Sequence, residues 1–82
     1  MIYIGDFFNY KYNGKGILYF EDGNKQYEGY FKNDLYDGQG TLFYKKDNKI
    51  FYIGSFKNGY FSFGVSYSPN QNKIYESIFG AK

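Results

Sequence analysis

The sequence predicts an all-β fold, an antiparallel meander of stacked β-hairpins, on the strength of three observations. Residues alternate with period two, so that Tyr27, Gly29 and Phe31 would share one face of a strand, and Gly38, Gly40, Leu42 and Tyr44 one face of the next. The stretches EDGN at 21–24 and KDNK at 46–49 punctuate this alternation with residues that tolerate positive φ. No segment places apolar residues at helical spacing.

A repeat organises the chain. YIGDF at 3–7, YEGYF at 27–31 and YIGSF at 52–56 share the form Tyr-x-Gly-x-Phe, and YESIF at 75–79 follows it with Ser77 in place of glycine. The copies are spaced by 24, 25 and 23 residues, the period of a small supersecondary unit. Between them lie GKGILYF at 14–20 and GQGTLFY at 38–44. Each unit therefore holds two strands, and about seven strands are expected in all. One domain, 1–82, is expected to comprise units at 3–26, 27–51 and 52–74 and a terminal half-unit at 75–82 that caps the array.

The elements follow in order. The first strand carries Tyr3, Gly5 and Phe7, and the second carries Gly14 and Gly16. The third carries Tyr27, Gly29 and Phe31, and the fourth Gly38 and Gly40. Glycine weakens a strand unless something approaches it closely, and here the rings of Tyr3 and Phe7, or Tyr27 and Phe31, are expected to lie across the glycine pair of the same unit. The fifth strand carries Tyr52, Gly54 and Phe56. For the sixth, YFSFGVSYS at 60–68, the glycine pair is missing. Keeping the preceding loop at constant length puts Phe63, Val65 and Tyr67 on the core side, where they would fill the hollow that glycines leave elsewhere. Pro69 ends that strand, and Tyr75 and Phe79 belong to the last one.

Composition bounds the chemistry. At 82 residues a core is marginal, and 12 Tyr and 10 Phe supply the burial that length does not. No Cys and no His occur, which removes disulfides, the usual metal ligands and the usual general base. With no histidine, the five serines have only lysine or carboxylate as candidate bases and nothing in their spacing suggests either, so no catalytic, cofactor or metal site is expected and the chain is not expected to be an enzyme. Net charge is +2, from ten lysines interleaved with eight acids and no arginine, which speaks against nucleic acid. The cluster Lys45–Lys49 reads as a solvated turn. No apolar run has the length of a membrane span, and the N-terminus lacks the marks of a signal peptide, so a cytoplasmic location is expected.

The sequence Tyr-x-Gly-x-Phe, then Asn, then Gly-x-Gly and an aromatic-rich strand resembles the MORN repeat (membrane occupation and recognition nexus), over nearly the whole chain. The resemblance implies a row of stacked hairpins forming a long grooved sheet with no enzymatic site. On it, Tyr3, Gly5, Phe7, Gly14, Gly16, Tyr27, Gly29, Phe31, Gly38, Gly40, Tyr52, Gly54, Phe56, Tyr75 and Phe79 are the structural repeat positions.

Function is then expected from surfaces. Alternation places Ile4, Phe8, Ile17, Tyr19, Tyr30, Thr41, Phe43 and Ile53 on the face opposite the rings, more apolar than a solvated face should be. Ile4, Phe8, Tyr19, Tyr30 and Phe43 are the candidate partner-binding residues, for a protein partner or self-association. The first strand should leave an open edge with Asp6 as its one charge. The resemblance adds a second possibility, a phospholipid-headgroup or membrane-surface module, which interleaved charge and missing arginine make less favoured. A third is an accessory segment of a larger protein.

Overall fold

The computed structural model describes residues 2–71 and 73–78. Seven strands, β1 (Ile2–Phe8), β2 (Lys11–Tyr19), β3 (Lys25–Lys32), β4 (Leu35–Phe43), β5 (Ile50–Lys57), β6 (Tyr60–Tyr67) and β7 (Lys73–Ile78), form one antiparallel sheet in sequence order. Every connection is a hairpin, and β1 and β7 are the sheet's edges. Phe79 lies outside the described residues.

Two kinds of turn alternate. At one end the two-residue tips Asn9-Tyr10, Asn33-Asp34 and Asn58-Gly59 have positive φ at both positions, the geometry whose twist suits a tight hairpin. At the other end, EDGN and KDNK turn as their residues suggest. Gly23 (φ 91°) and Asn48 (φ 61°) take the left-handed positions, and the Asp22 carboxylate accepts from the Asn24 amide at 3.0 Å.

Among the described residues the sheet has no second layer. One of its faces is covered by its own aromatic side chains, and the buried core is Leu18, Tyr27, Phe31, Tyr52 and Phe56. Tyr3, Tyr12, Tyr36, Leu42, Phe51 and Phe61 pack around it, half-buried. Rings can serve as a layer because the backbone beneath them is bare. Gly5 faces Gly16, Gly29 faces both Gly16 and Gly40, and Gly54 faces both Gly40 and Gly64, a row of glycines across six strands. A Cβ on Gly16, Gly40 or Gly64 would stand 2.4, 2.1 or 2.3 Å from the ring or hydroxyl of Tyr3, Tyr27 or Tyr52 respectively.

The two glycines of each Gly-x-Gly therefore do different things, which corrects the expectation that both lie under rings. Gly16 and Gly40 are the hollows. Gly14 (φ 103°) and Gly38 (φ 97°) instead bend the strand within a bulge, where three residues of β2 or β4 run opposite one of β1 or β3.

The register expected for the third unit is also corrected. Gly64 pairs with Gly54 and lies under Tyr52, while Phe63 points to the other face and is 59% exposed. Phe61 pairs with Phe56, so β6 passes this bulge with one residue fewer than β4. The strand keeps its glycine beneath the tyrosine and shortens the bulge, because Phe63 in that hollow would overlap the Tyr52 ring. The serines come to the ring side, with Ser66 opposite Tyr52.

Candidate functional site

The ring face is built by repetition. Tyr3 stacks on Tyr12 with centroids 3.8 Å apart and planes at 11°, and Tyr27 stacks on Tyr36 at 3.9 Å and 12°. Phe31 stands edge-on to the first pair, and Phe56 stands edge-on to the second. In the third unit Tyr52 and Phe61 meet at a tilt of 58°. Each phenylalanine thus fills the space beside the tyrosine pair of the unit before it. Phe7 has the motif position but no such pair, and it is 58% exposed where Phe31 and Phe56 are 4%. Its expected place in the core is corrected accordingly.

The tyrosine hydroxyls hold the bulges. Tyr3 donates to the Asp6 carbonyl at 2.7 Å and Tyr27 to that of Tyr30 at 2.8 Å, while Tyr52 shares its proton between Ser55 and Phe63 at 3.0 and 2.9 Å. Burial raises the pKa of Tyr27, Tyr36 and Tyr52 above the ordinary tyrosine value of 10.0, for Tyr27 strongly. Tyr27 and Tyr52 are structural donors, and the Tyr36 hydroxyl accepts from the Gln26 side-chain amide at 3.1 Å. A shallow pocket of about 230 Å³ opens on this face between Leu18, Phe31, Asp34, Leu35, Tyr36 and Gly59. Its one carboxylate, Asp34, already accepts from the Tyr12 amide at 2.8 Å. Among the described residues no group of His, Cys, Asp or Glu is placed to hold a metal ion.

Successive hairpin tips are sewn together by bonds that the motif spacing did not announce. Asn33 and Asp34 donate their amides to the Asn13 side chain (3.2 Å) and the Tyr12 carbonyl (3.0 Å). One unit later, Asn58 and Gly59 donate to the Asp37 carboxylate (3.1 Å) and the Tyr36 carbonyl (2.8 Å). The residue before each Gly-x-Gly, Asn13 or Asp37, was the available signal.

The opposite face is less uniform than alternation suggests. Its middle row runs Ile4, Ile17, Glu28, Thr41, Ile53, Val65, so apolar pairs at either side are parted by Glu28 and Thr41. Lys25 pairs with Glu28 at 3.0 Å and sets its ammonium 5.9 Å from the Phe43 ring centre, which leaves Phe43 half-buried. Tyr19, opposite Ile2, is half-buried too. Ile4 (60%), Phe8 (63%) and Tyr30 (46%) are exposed. The five candidates are not one patch: Ile4 and Phe8 lie on β1, Tyr30 sits at the bulge of β3, and Tyr19 and Phe43 lie towards the other end. Three residues outside that set, Ile2 (61%), Phe7 (58%) and Tyr10 (100%), add to the exposed apolar surface of the first hairpin. The Tyr75 side chain lies outside what the structure describes.

Fold and surface together define a class: an open, single-layer β-repeat whose aromatic face is its own core. The family model for the MORN repeat matches at residues 3–25, 27–49 and 52–73, and the chain belongs to the MORN repeat family. MORN repeats are, in general, non-enzymatic interaction or membrane-associated modules. No curated protein and no solved structure matches the chain.

Proposed function

We propose that the chain is a protein–protein association or scaffolding module that makes contact through its β1 side. The observation that carries this reading is the concentration of large exposed apolar side chains there, Ile2, Ile4, Phe7, Phe8 and Tyr10, next to a sheet edge. Apolar groups left in water beside an unpaired edge favour association with another surface or strand. Tyr19, Tyr30 and Phe43 flank this region and extend it where a partner is large. Ile4→Lys tests the reading, since it adds a charge to the edge and to the face at once. Multi-angle light scattering over a concentration series, and capture of partners from lysate compared between the two proteins, should show association in the parent that the variant loses while its melt is unchanged. Equal association in the two would sink the reading.

A second reading, contact with an anionic membrane surface, has one observation of its own. The pairs Phe8 with Lys11, Lys32 with Leu35 and Lys57 with Tyr60 close the three hairpin tips, so each tip presents one lysine and one exposed apolar side chain. Among the described residues these lysines enter no ion pair. Lysines close to an acidic membrane contribute about 1 kcal/mol each. Flotation with phosphatidylserine vesicles, lost in the triple Lys→Glu variant and absent with neutral lipid, is the expected result. No flotation at all discards it.

A further inference from the structure

The seams between units show what the free edge of β1 lacks. In the first seam Gly14, Gly16 and Leu18 stand opposite Phe31, Gly29 and Tyr27. In the second, Gly38, Gly40 and Leu42 stand opposite Phe56, Gly54 and Tyr52. The two seams are the same interface made twice. The strand on the N-terminal side also brings a tyrosine ring, Tyr12 or Tyr36, to the edge of the incoming phenylalanine at 5.6 and 5.3 Å. Its Asn13 or Asp37 side chain and its tyrosine carbonyl receive the two amides of the next hairpin tip.

β1 carries the phenylalanine-bearing half of this interface complete, the half that β3 and β5 supply in the two seams. Tyr3, Gly5 and Phe7 stand where Tyr27, Gly29 and Phe31 do, and Asn9-Tyr10 repeats the left-handed tip of Asn33-Asp34. Among the described residues, nothing occupies the other half. Phe7 is 58% exposed, and no acceptor meets the amides of Asn9 and Tyr10. Tyr10 makes the point by its cost. It is a bulky side chain held at φ 65° and wholly exposed, a position that Asp34 and Gly59 fill with residues suited to it.

We infer that the β1 edge is a docking edge for one kind of strand, Tyr-(Asn or Asp)-Gly-x-Gly-x-Leu, presented as the terminal strand of a second chain built from the same repeat. The inference rests on the reading of the protein as an association module and names its partner by chemistry. A second copy of this chain is not that partner, because its own strands of this type, β2 and β4, are paired on both sides. Docking would continue the sheet across two chains, bury Phe7 against the incoming tyrosine and satisfy Asn9 and Tyr10.

The test uses the whole chain and a peptide with the sequence of β2, Lys11–Tyr19. Titration followed by amide NMR should give saturable binding, with exchange protection appearing at alternate amides of β1 and at Asn9 and Tyr10. Phe7→Ala in the chain, or Tyr12→Ala or Asn13→Leu in the peptide, should each weaken binding by roughly tenfold or more, the effect of losing an anchor. No saturable shift overturns the inference. Equal binding of the peptide variants also overturns it, since the edge would then accept any strand, and the association reading would stand. Loss of association in Ile4→Lys tests that reading separately.

Discussion

Phe31 meets Tyr3 edge-on, with ring centroids 5.1 Å apart and planes at 88°, although 28 residues separate them in sequence. The contact crosses the boundary between two units, and Phe56 repeats it on Tyr27 at 5.4 Å and 80°. Among the described residues no helix or second sheet lies over the sheet, and this ladder of rings covers one of its faces. Each seam therefore adds one phenylalanine contact to the backbone pairing of its strands and to the bonds between hairpin tips.

From this, Phe31→Ala should destabilise by about 3–5 kcal/mol, the range for truncating a buried aromatic. Phe7→Ala removes the same side chain from the same motif position and should cost under about 1 kcal/mol, because its ring is mostly in water. Urea melts of the two variants give the comparison. Equal costs would show that the ladder does not set the energetics.

The register of the third unit has its own test. Gly64→Ala places a methyl 2.3 Å from the Tyr52 ring and should cost about 1–3 kcal/mol, as overpacking does. Phe63→Ser alters an exposed residue and should stay within about 0.5 kcal/mol. The opposite ranking in a denaturant melt would return Phe63 to the core side.

These two cases also show how far the sequence could be read. Tyr-x-Gly-x-Phe and period two give the strands, their order and the tyrosines of the core, since these depend on local pattern. A motif letter carries no information about its neighbour, so Phe7 and Phe31 look alike until the structure shows that, among the described residues, only Phe31 stands against a tyrosine pair of another unit. Period two likewise treats Gly14 and Gly16 as equivalent, although one is chosen for its φ and the other for the ring above it. In β6 two regularities conflict, constant loop length and glycine beneath tyrosine. Steric overlap is steeper than the cost of a shorter bulge, and the glycine rule prevails. The candidate contact residues were legible as a face, but Lys25 over Phe43 and the ion pair with Glu28 depend on side-chain reach that alternation does not encode.

The tips offer a prediction of modest size. Asp34 accepts the Tyr12 amide at 2.8 Å and donates its own amide to the Tyr12 carbonyl, tying the first hairpin to the second. Asp34→Ala removes the carboxylate half of that tie and puts a less tolerant residue at φ 71°. A loss of about 1–2 kcal/mol is expected by analogy with removing a side-chain cap. Faster amide exchange at Tyr12, relative to Tyr36, is the local readout.

The last prediction concerns alkaline pH, and its sign follows from the buried phenols. Burial raises the pKa of Tyr27, Tyr36 and Tyr52 in the folded chain above the 10.0 that each has when unfolded. Above pH 10 the unfolded chain releases those protons while the folded chain keeps them, so the unfolded state binds fewer protons and stability falls as pH rises. The contribution is fully present below pH 10 and is lost as pH climbs through the folded-state values. With no histidine in the chain, no comparable titration occurs near neutrality, and the melting temperature should be nearly flat from roughly pH 6 to 9 before dropping. Tyrosinate absorbance supplies the second observable. The tyrosinate absorbance of Tyr27, Tyr36 and Tyr52 should rise together with the loss of β-sheet dichroism. If the entire tyrosinate signal develops with the sheet intact, the hydroxyls of Tyr27 and Tyr52 are not held in the bulges as the hydrogen bonds to Tyr30 and Ser55 require.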